Sequence, residues 1–329
     1  MSVNQPWTPL HAQLHQTLRQ RHLLPKRRSI LVAVSGGQDS LCLAKLLLDL
    51  QPKWDWQLGI AHCDHRWRED SDANARHVEE MAKAWNLKCF SRRALEAPPS
   101  EAAARQWRYQ MLAQMAGEGE FDRIVTGHTQ SDRAETLLYN LIRGSGTDGL
   151  ASLTWQRELV PGIELVRPLL EVSRAATGEF CRQQQLEIWE DSTNADVTYA
   201  RNRIRRELLP YLQAHFNPST ERAIARTAEL LRADVEYLES AAAELLAQAR
   251  VDSGTLHRLP LRSAPLALQR RAMRQFLTGI LPHAPSFEHI EKMTALIAAP
   301  NKSRTDPFPG GTIAEVDGDA IVMGRPESG

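Results

Sequence analysis

Apolar and polar positions follow two alternating patterns along the first half of the chain. Four short apolar runs, at 29–34, 57–61, 87–90 and 123–127, predict buried strands. Longer segments with helical spacing follow them, at 41–50, 72–85, 101–116 and 132–143. Strands that alternate with helices of this length pair in parallel through right-handed crossovers. We therefore expect an α/β fold, a parallel sheet with helices on both faces.

The pattern changes to a mainly helical one from about residue 217. Helices are predicted at 219–249, 266–277 and 286–298, and turn signals around Gly310-Gly311 and Gly318 predict a small hairpin near the end. Residues 1–28 predict a leading helix, although their five basic and no acidic side chains leave a transit peptide as an alternative. The predicted domains are thus the leading helix at 1–28, an α/β domain at 29–216 and a smaller, mainly helical domain at 217–329.

Composition limits the classes of protein that fit. Of the 329 residues, 42% are hydrophobic and 24% charged, as in ordinary globular enzymes, and no apolar run reaches the roughly 18 residues of a membrane span. The four cysteines never occur as CxxC, which argues against a zinc ribbon, an iron–sulfur cluster or a disulfide scaffold and favours the reducing cytoplasm. The net charge is zero, but only 7 of the 40 basic residues are Lys. Because Arg recognises phosphate through its planar fork, a local Arg patch would still suit RNA.

A glycine-rich loop, Ser35-Gly36-Gly37-Gln38-Asp39-Ser40, connects the first predicted strand to the first long helix. The two glycines let successive backbone N–H groups converge on one anion at a helix N-terminus, and both serines add hydroxyl donors. The carboxylate of Asp39 would repel a phosphate unless it holds Mg²⁺ against the phosphate oxygens. The alternative is an ordinary turn in which Asp39 and Ser40 cap the helix. We expect all six residues to bind a nucleotide.

This Ser-Gly-Gly-x-Asp-Ser loop after a first strand resembles that of the N-type ATP pyrophosphatases. The resemblance implies an adenine nucleotide α-hydrolase-like fold and an enzyme that adenylates its substrate and releases pyrophosphate. It also implies ATP and Mg²⁺ as cofactors, with Asp39 holding the metal through pyrophosphate and acting as a catalytic residue.

Two further polar clusters follow the second and fourth predicted strands, where ligands of parallel sheets bind. They are His62-Cys63-Asp64-His65 and the segment from His128 to Asp132. We expect His62 to contribute to ATP binding and either Asp132 or His128 to act as a catalytic base. The alternatives are a metal site at His62 and His65, and a helix-capping role for Asp132.

Two groups of arginines complete the set of candidates. Arg105 and Arg108 are spaced to share a helix face, where Arg105 is a predicted catalytic cation and a solvated basic face is the alternative. Four arginines occur within residues 201–206, and their mutual repulsion is best relieved by a polyanion. The predicted tRNA-binding residues are Arg201, Asn202, Arg203 and Arg205.

Residues 127–136 and the block from Trp189 through Asn194, Asp196 and Tyr199 to Arg205 resemble the tRNA(Ile)-lysidine synthetase family. The resemblance implies that ATP adenylates the C2 carbonyl oxygen of the wobble cytidine in isoleucine tRNA with a CAU anticodon. Free L-lysine then attacks C2, and lysidine, AMP and pyrophosphate result. That family commonly has two successive carboxylates where this chain has Ser131-Asp132, which leaves Asp132 as the candidate.

Several alternatives remain open from the sequence. A tRNA thiolase of the two-thiocytidine type would need cysteines to carry sulfur, and a small-molecule amide-forming synthetase would leave the Arg block unused. An RNA-binding protein with a vestigial loop is the non-enzymatic alternative. A homodimer is possible. Longer members of the family have a further C-terminal domain, so recognition of the tRNA acceptor end is also open.

Overall fold

The computed structural model describes residues 7–67, 70–151, 153–189, 198 and 200–324. The chain forms two compact units, Met1–Leu230 and Leu231–Gly329. The division falls inside one long helix, Thr220–Ala249, whereas the sequence pattern predicts the boundary at 217. Each unit has a hydrophobic core of its own.

Within the described residues, the first unit contains a sheet of six strands, in the order β3-β2-β1-β4-β6-β5. They are β1 (Ser29–Ala33), β2 (Gln57–Asp64), β3 (Lys88–Arg93), β4 (Arg123–Thr126), β5 (Gln156–Val160) and β6 (Ile163–Val166). All neighbours pair in parallel except β5, which is antiparallel to β6. The predicted parallel sheet is confirmed, and an edge hairpin that the sequence pattern did not predict extends it.

Helices cover both faces of this sheet. They are α1 (Pro9–Gln20), α2 (Gln38–Trp54), α3 (Ser71–Ala84), α4 (Glu101–Glu118), α5 (Gln130–Ile142), α6 (Thr147–Leu150), α7 (Arg174–Gln183), α8 (Ala200–Arg203) and α9 (Leu209–His215), with a π-helical turn at Ile204–Leu208. Successive residues of β1 point to opposite faces. Ile30 and Val32 join the core under α1, α2 and α7, while Leu31 joins a second core under α4. The prediction of helices on both faces is therefore confirmed.

The leading helix is part of the first core. Thr8 caps it through a reciprocal capping box with His11. Leu14 and Leu18, one turn apart, are 1% exposed and pack in the same core as β1.

The second unit is helical with a small antiparallel sheet. Its elements, beyond the end of α10 (Thr220–Ala249), are β7 (Thr255–His257), α11 (Arg258–Ser263), α12 (Leu266–Thr278), α13 (Phe287–Leu296), β8 (Ile313–Asp317) and β9 (Ala320–Gly324). The hairpin β8–β9 turns at Gly318, whose φ of 58° suits glycine, and β7 adds a third strand in this part of the described chain. None of the helices in the described ranges is long and apolar enough to cross a membrane.

Candidate active site

A cavity of about 390 Å³ lies at the carboxyl ends of β1, β2 and β4. Its lining brings together residues from separate parts of the chain, most of which the sequence predicted. They include Ser35, Gly37, Asp39 and Ser40 from the loop, His65, Arg108, Gly127, His128 and Asp132 from the following elements, and Arg174, Trp189 and Arg205. This is the edge at which ligands of open parallel sheets bind.

The backbone of the loop requires glycine at position 36. Gly36 has φ 88°, and a Cβ there would lie 2.4 Å from Oδ1 of Asn74. Gly37 is the N-cap of α2 and supplies no capping side chain. The first N–H groups of a helix lack intrahelical partners, so this loop leaves them for an anion.

Hydroxyl groups brace the loop from inside. The Ser35 N–H donates to Oγ of Ser40 at 3.2 Å, and this Oγ donates to the Gly37 carbonyl at 2.9 Å. The amide of Asn74, from α3, donates to the Ser35 carbonyl at 3.0 Å. The loop is therefore held in its curled form before any ligand arrives.

Neighbouring strand ends press against this loop. A Cβ at Gly127 would lie 2.9 Å from the carbonyl carbon and oxygen of Asp39, so no side chain fits after β4. His62, from β2, is 2% exposed, and its Nδ1 lies 2.8 Å from the Val34 carbonyl oxygen. The structure thus places His62 where it supports the loop backbone, and its role in ATP binding stays a prediction.

Asp39 is held by two side chains that the sequence did not single out. Nη1 of Arg174 lies 2.7 Å from Oδ2, and the Thr177 hydroxyl donates to Oδ1. Burial raises the pKa of Asp39, although Arg174 and Thr177 act in the opposite direction. Both partners lie on α7, which follows β6, the fifth parallel strand. Recognising that strand would have predicted a functional residue at the start of α7.

Asp132 caps α5 and also lines the cavity. The backbone N–H and hydroxyl of Thr129 donate to its Oδ2 at 2.7 and 2.8 Å, and Nη2 of Arg205 lies 3.3 Å from Oδ1. Burial would raise the pKa of Asp132, but His128, Arg205 and Thr129 together hold it below its ordinary value. Asp132 is therefore ionised. The neighbouring Ser131 donates to Glu221 at 2.7 Å.

Arg205 points into the cavity. It forms a forked pair with Glu135, with Nε–Oε1 2.5 Å and Nη2–Oε2 2.9 Å. Glu135 is 3% exposed, and burial raises its pKa against the pull of Arg205. Arg201 pairs with Glu101 at 3.2 Å, whereas Arg203 is exposed. The arginine run thus faces in several directions, and its contact with tRNA stays a prediction.

Two histidines of the site are neutral at physiological pH. Burial lowers the pKa of His128 to about 3, and its Nδ1 lies 2.9 Å from the Thr126 hydroxyl. Burial and the adjacent Arg108 lower the pKa of His65 to about 4. The guanidinium of Arg105 lies 5.6 Å from the Tyr109 ring and contributes to the low pKa of His128. A catalytic role for Arg105 stays a prediction.

Part of the predicted RNA block, Glu190–Asn194 with Asp196 and Tyr199, lies outside the described residues. Trp189, which precedes it, donates its backbone N–H to the Gly36 carbonyl at 3.0 Å and so joins the loop. Across the described ranges, no group of three or more His, Cys, Asp or Glu side chains could hold a metal ion.

Comparison with known proteins agrees with this geometry. The profile of the PP-loop domain matches residues 7–212, so the chain belongs to the PP-loop class. The profile of the TilS substrate binding domain matches residues 256–318.

Two close relatives narrow the class. The tRNA(Ile)-lysidine synthase of Nostoc sp. is 60% identical over 96% of this chain and 97% of its own length. The tRNA(Ile)-lysidine synthase of Synechocystis sp. is 51% identical, with the same coverage of both chains. This chain belongs to the tRNA(Ile)-lysidine synthase family.

A solved structure shares the fold at much lower identity. The U34-tRNA thiolase of Methanococcus maripaludis, which carries a [4Fe-4S] cluster, superimposes with a TM-score of 0.57 and 16% identity. The match covers 67% of this chain and 77% of the thiolase. At this identity the likeness concerns the fold alone.

Proposed function

We propose that this protein joins free L-lysine to C2 of the wobble cytidine of isoleucine tRNA with a CAU anticodon, using ATP and releasing AMP and pyrophosphate. The observation that carries the proposal is the cavity itself. It combines an anion-binding loop and Asp39 with Asp132 and Arg205, and the buried Glu135 holds Arg205 in place. Membership of the tRNA(Ile)-lysidine synthase family supports the same assignment.

The glycine loop suits the phosphates of ATP. Its backbone curls at Gly36, where a Cβ would clash with Asn74, and the N-terminus of α2 leaves N–H groups without side-chain caps for an anion. The carboxylate of Asp39 belongs to the same loop and is the residue we assign to Mg²⁺, which would neutralise charge on the departing pyrophosphate. The guanidinium of Arg108, which also lines the cavity, would stabilise negative charge as the cytidine oxygen displaces pyrophosphate.

Asp132 suits the lysine step better than His128 does. The pKa of His128, about 3, leaves that imidazole neutral, so it carries no charge that would attract the lysine ammonium group. Asp132 is ionised, and its negative charge would attract the ammonium group of lysine. The ammonium first loses one proton to solvent water. When the neutral amine then attacks C2 and AMP leaves, the amine nitrogen becomes cationic and strongly acidic, and the carboxylate of Asp132 can accept this second proton. Arg205 fixes the position of this carboxylate through Glu135.

Three further assignments concern how the tRNA base reaches the site, where the protein is located and whether it forms a dimer. An unpaired anticodon base can be splayed into a pocket, which fits a site at the end of a sheet. All four cysteines are free thiols, which supports a cytoplasmic location. A homodimer is proposed as a possible state, and sedimentation equilibrium would determine it.

The test is incorporation of labelled lysine into an isoleucine tRNA transcript. We expect incorporation with ATP and a CAU anticodon, and none without ATP or with a matched UAU transcript, which lacks only the target cytidine. Transfer of sulfur to the CAU transcript, without incorporation of lysine, would favour the thiolase instead.

A further inference from the structure

A second groove opens beside the catalytic cavity in the same unit. Its volume is about 620 Å³, and α5 contributes Tyr139, Ile142 and Arg143 to its lining. The other side comes from the arginine-rich segment and α9, with Arg203 and Tyr211 among its residues. The reaction assigned above does not use this groove.

One face of α5 joins the two sites. Asp132, Glu135, Tyr139 and Ile142 are spaced by three or four residues, so their side chains follow a single stripe along the helix. Tyr139 lies about 10 Å along the helix from Asp132, given a rise of about 1.5 Å per residue. Neighbouring nucleotides of one flexible loop can span such a distance. A base next to the reacting cytidine would therefore reach the groove.

The arginine-rich segment opposite α5 also connects the catalytic cavity with the groove. The π-helical turn at Ile204–Leu208 packs on α5 through Ile204, which is 4% exposed. Arg205 of this turn lines the catalytic cavity, whereas Arg203, just before it, lines the groove. Such turns occur frequently at functional sites.

The chemistry of the groove matches an unpaired nucleotide. Ile142 is 68% exposed and Tyr211 is 55% exposed, which leaves apolar and aromatic surface open to a base. The guanidinium carbons of Arg143 and Arg201 lie 5.2 and 5.5 Å from the centre of the Tyr139 ring. Bases stack on aromatic rings and on guanidinium planes, and the arginines also neutralise the phosphates.

Charge favours RNA over a protein partner. Arg143 and Arg203 line the groove, and Glu207 is the acidic member of the lining. This positive excess complements a polyanion and would repel a second copy of itself. We propose that the groove binds an unpaired base flanking the target cytidine in the anticodon loop, an inference that rests on the proposed function.

The experiment couples a protein change to an RNA change. Binding of a fluorescent anticodon stem-loop with a CAU anticodon is measured for the wild type, Tyr211→Ala and the matched control Tyr237→Ala, which truncates a 73% exposed tyrosine on α10. Each protein is tested with intact RNA and with abasic RNAs lacking the base on either side of the cytidine. Loss of one stacked base weakens binding about tenfold.

The wild type and Tyr237→Ala should bind one of the two abasic RNAs about tenfold more weakly than the intact RNA. Tyr211→Ala should bind the intact RNA about tenfold more weakly than the wild type does, and its affinity should not fall further on that abasic RNA. Ile142→Ala repeats the test if Tyr211→Ala does not fold.

The proposal would be overturned if Tyr211→Ala and Ile142→Ala both bound RNA as the wild type does. It would also be overturned if the affinity lost through the protein change and the affinity lost through the missing base were independent of each other. Loss of a dimer in Tyr211→Ala with unchanged RNA affinity would overturn it too, because the groove would then bind a second copy. Coupled losses without lysidine formation would leave the groove assignment standing and reject the proposed function. Lysidine formation without coupling would reject the groove alone.

Discussion

Two arginine–carboxylate pairs face the same cavity and differ in how firmly they are held. Arg174 contacts Asp39 through one nitrogen, and the arginine side chain is 37% exposed. Arg205 forks onto Glu135 and also reaches Asp132, and the Glu135 side chain is 4% exposed. The proposed binding of Mg²⁺ to Asp39 would require the first pair to exchange partners. The proposed lysine step would require the second pair to stay in place.

The largest expected effect comes from a variant that breaks the pair of Arg174 and Asp39. Asp39→Asn keeps the size of the side chain but removes the charge that would hold Mg²⁺ on pyrophosphate. We expect tRNA-dependent pyrophosphate release to fall by about 1,000-fold, as when a group that stabilises transition-state charge is removed. Retention of more than a tenth of the activity would contradict the assignment of Asp39.

The same variant has a second, opposite signature in stability. Burial raises the pKa of Asp39 in the folded state, so the ionised carboxylate disfavours folding above that pKa. Asp39→Asn should therefore be at least as stable as the wild type at pH 7, and its advantage should shrink as the pH falls and Asp39 becomes protonated. Urea unfolding at several pH values measures this.

Breaking the pair of Arg205 and Glu135 should mainly lower the stability of the fold. Arg205→Leu leaves the buried Glu135 without its cation and should lower the free energy of unfolding by about 3 kcal/mol. Adding Glu135→Leu should restore most of this loss. Arg203→Leu, at an exposed position two residues away, is the control and should change stability by less than about 0.5 kcal/mol. Equal effects from both single variants would mean that the two arginines do not differ.

A smaller effect on stability is expected from His128, which lines the same cavity. Its folded pKa of about 3 is below that of an unfolded histidine, so the unfolded chain takes up the proton first as the pH falls. This costs the wild type about 1 kcal/mol of stability between pH 7 and pH 5.5. His128→Asn should show a correspondingly flatter pH dependence of unfolding. Identical slopes for the two proteins would contradict the low pKa.

The smallest expected effect concerns Arg174. Arg174→Met removes the cation that competes with Mg²⁺ for Asp39, so half-saturation by Mg²⁺ should occur at a lower concentration, by up to about fivefold. Arg182→Met, on the exposed side of the same helix, should leave the Mg²⁺ dependence unchanged. A higher Mg²⁺ requirement in Arg174→Met would show that the two cations do not compete.

Strands β1, β2 and β4 could be predicted because each is an apolar run with most of its residues buried. The half-buried β3 could be predicted from the short apolar run at its start. The hairpin β5–β6 escaped prediction because its strands are short and β5 is mostly exposed, so burial imposed little apolar pattern on its residues. Because β6 was not predicted, its carboxyl end was not examined for functional residues, and Arg174 and Thr177, on the helix that follows it, were missed.

The residues of the site divide in the same way. Asp39, His128 and Asp132 follow strands that the sequence shows, and all three line the cavity. The inward direction of Arg205 could not be predicted, because local spacing predicts only a dense positive charge. The π-helical turn and the buried Glu135 determine that direction, and both depend on tertiary packing.

The most direct test follows the α-phosphate of ATP. The wild type is incubated with the CAU transcript and α-labelled ATP in the absence of lysine, and the RNA is then isolated. We predict that the label appears on the RNA and leaves as AMP when lysine is added, while Asp39→Asn gives no labelled RNA. Formation of ADP, or lysine incorporation without any labelled RNA, would contradict an adenylated cytidine formed in this cavity.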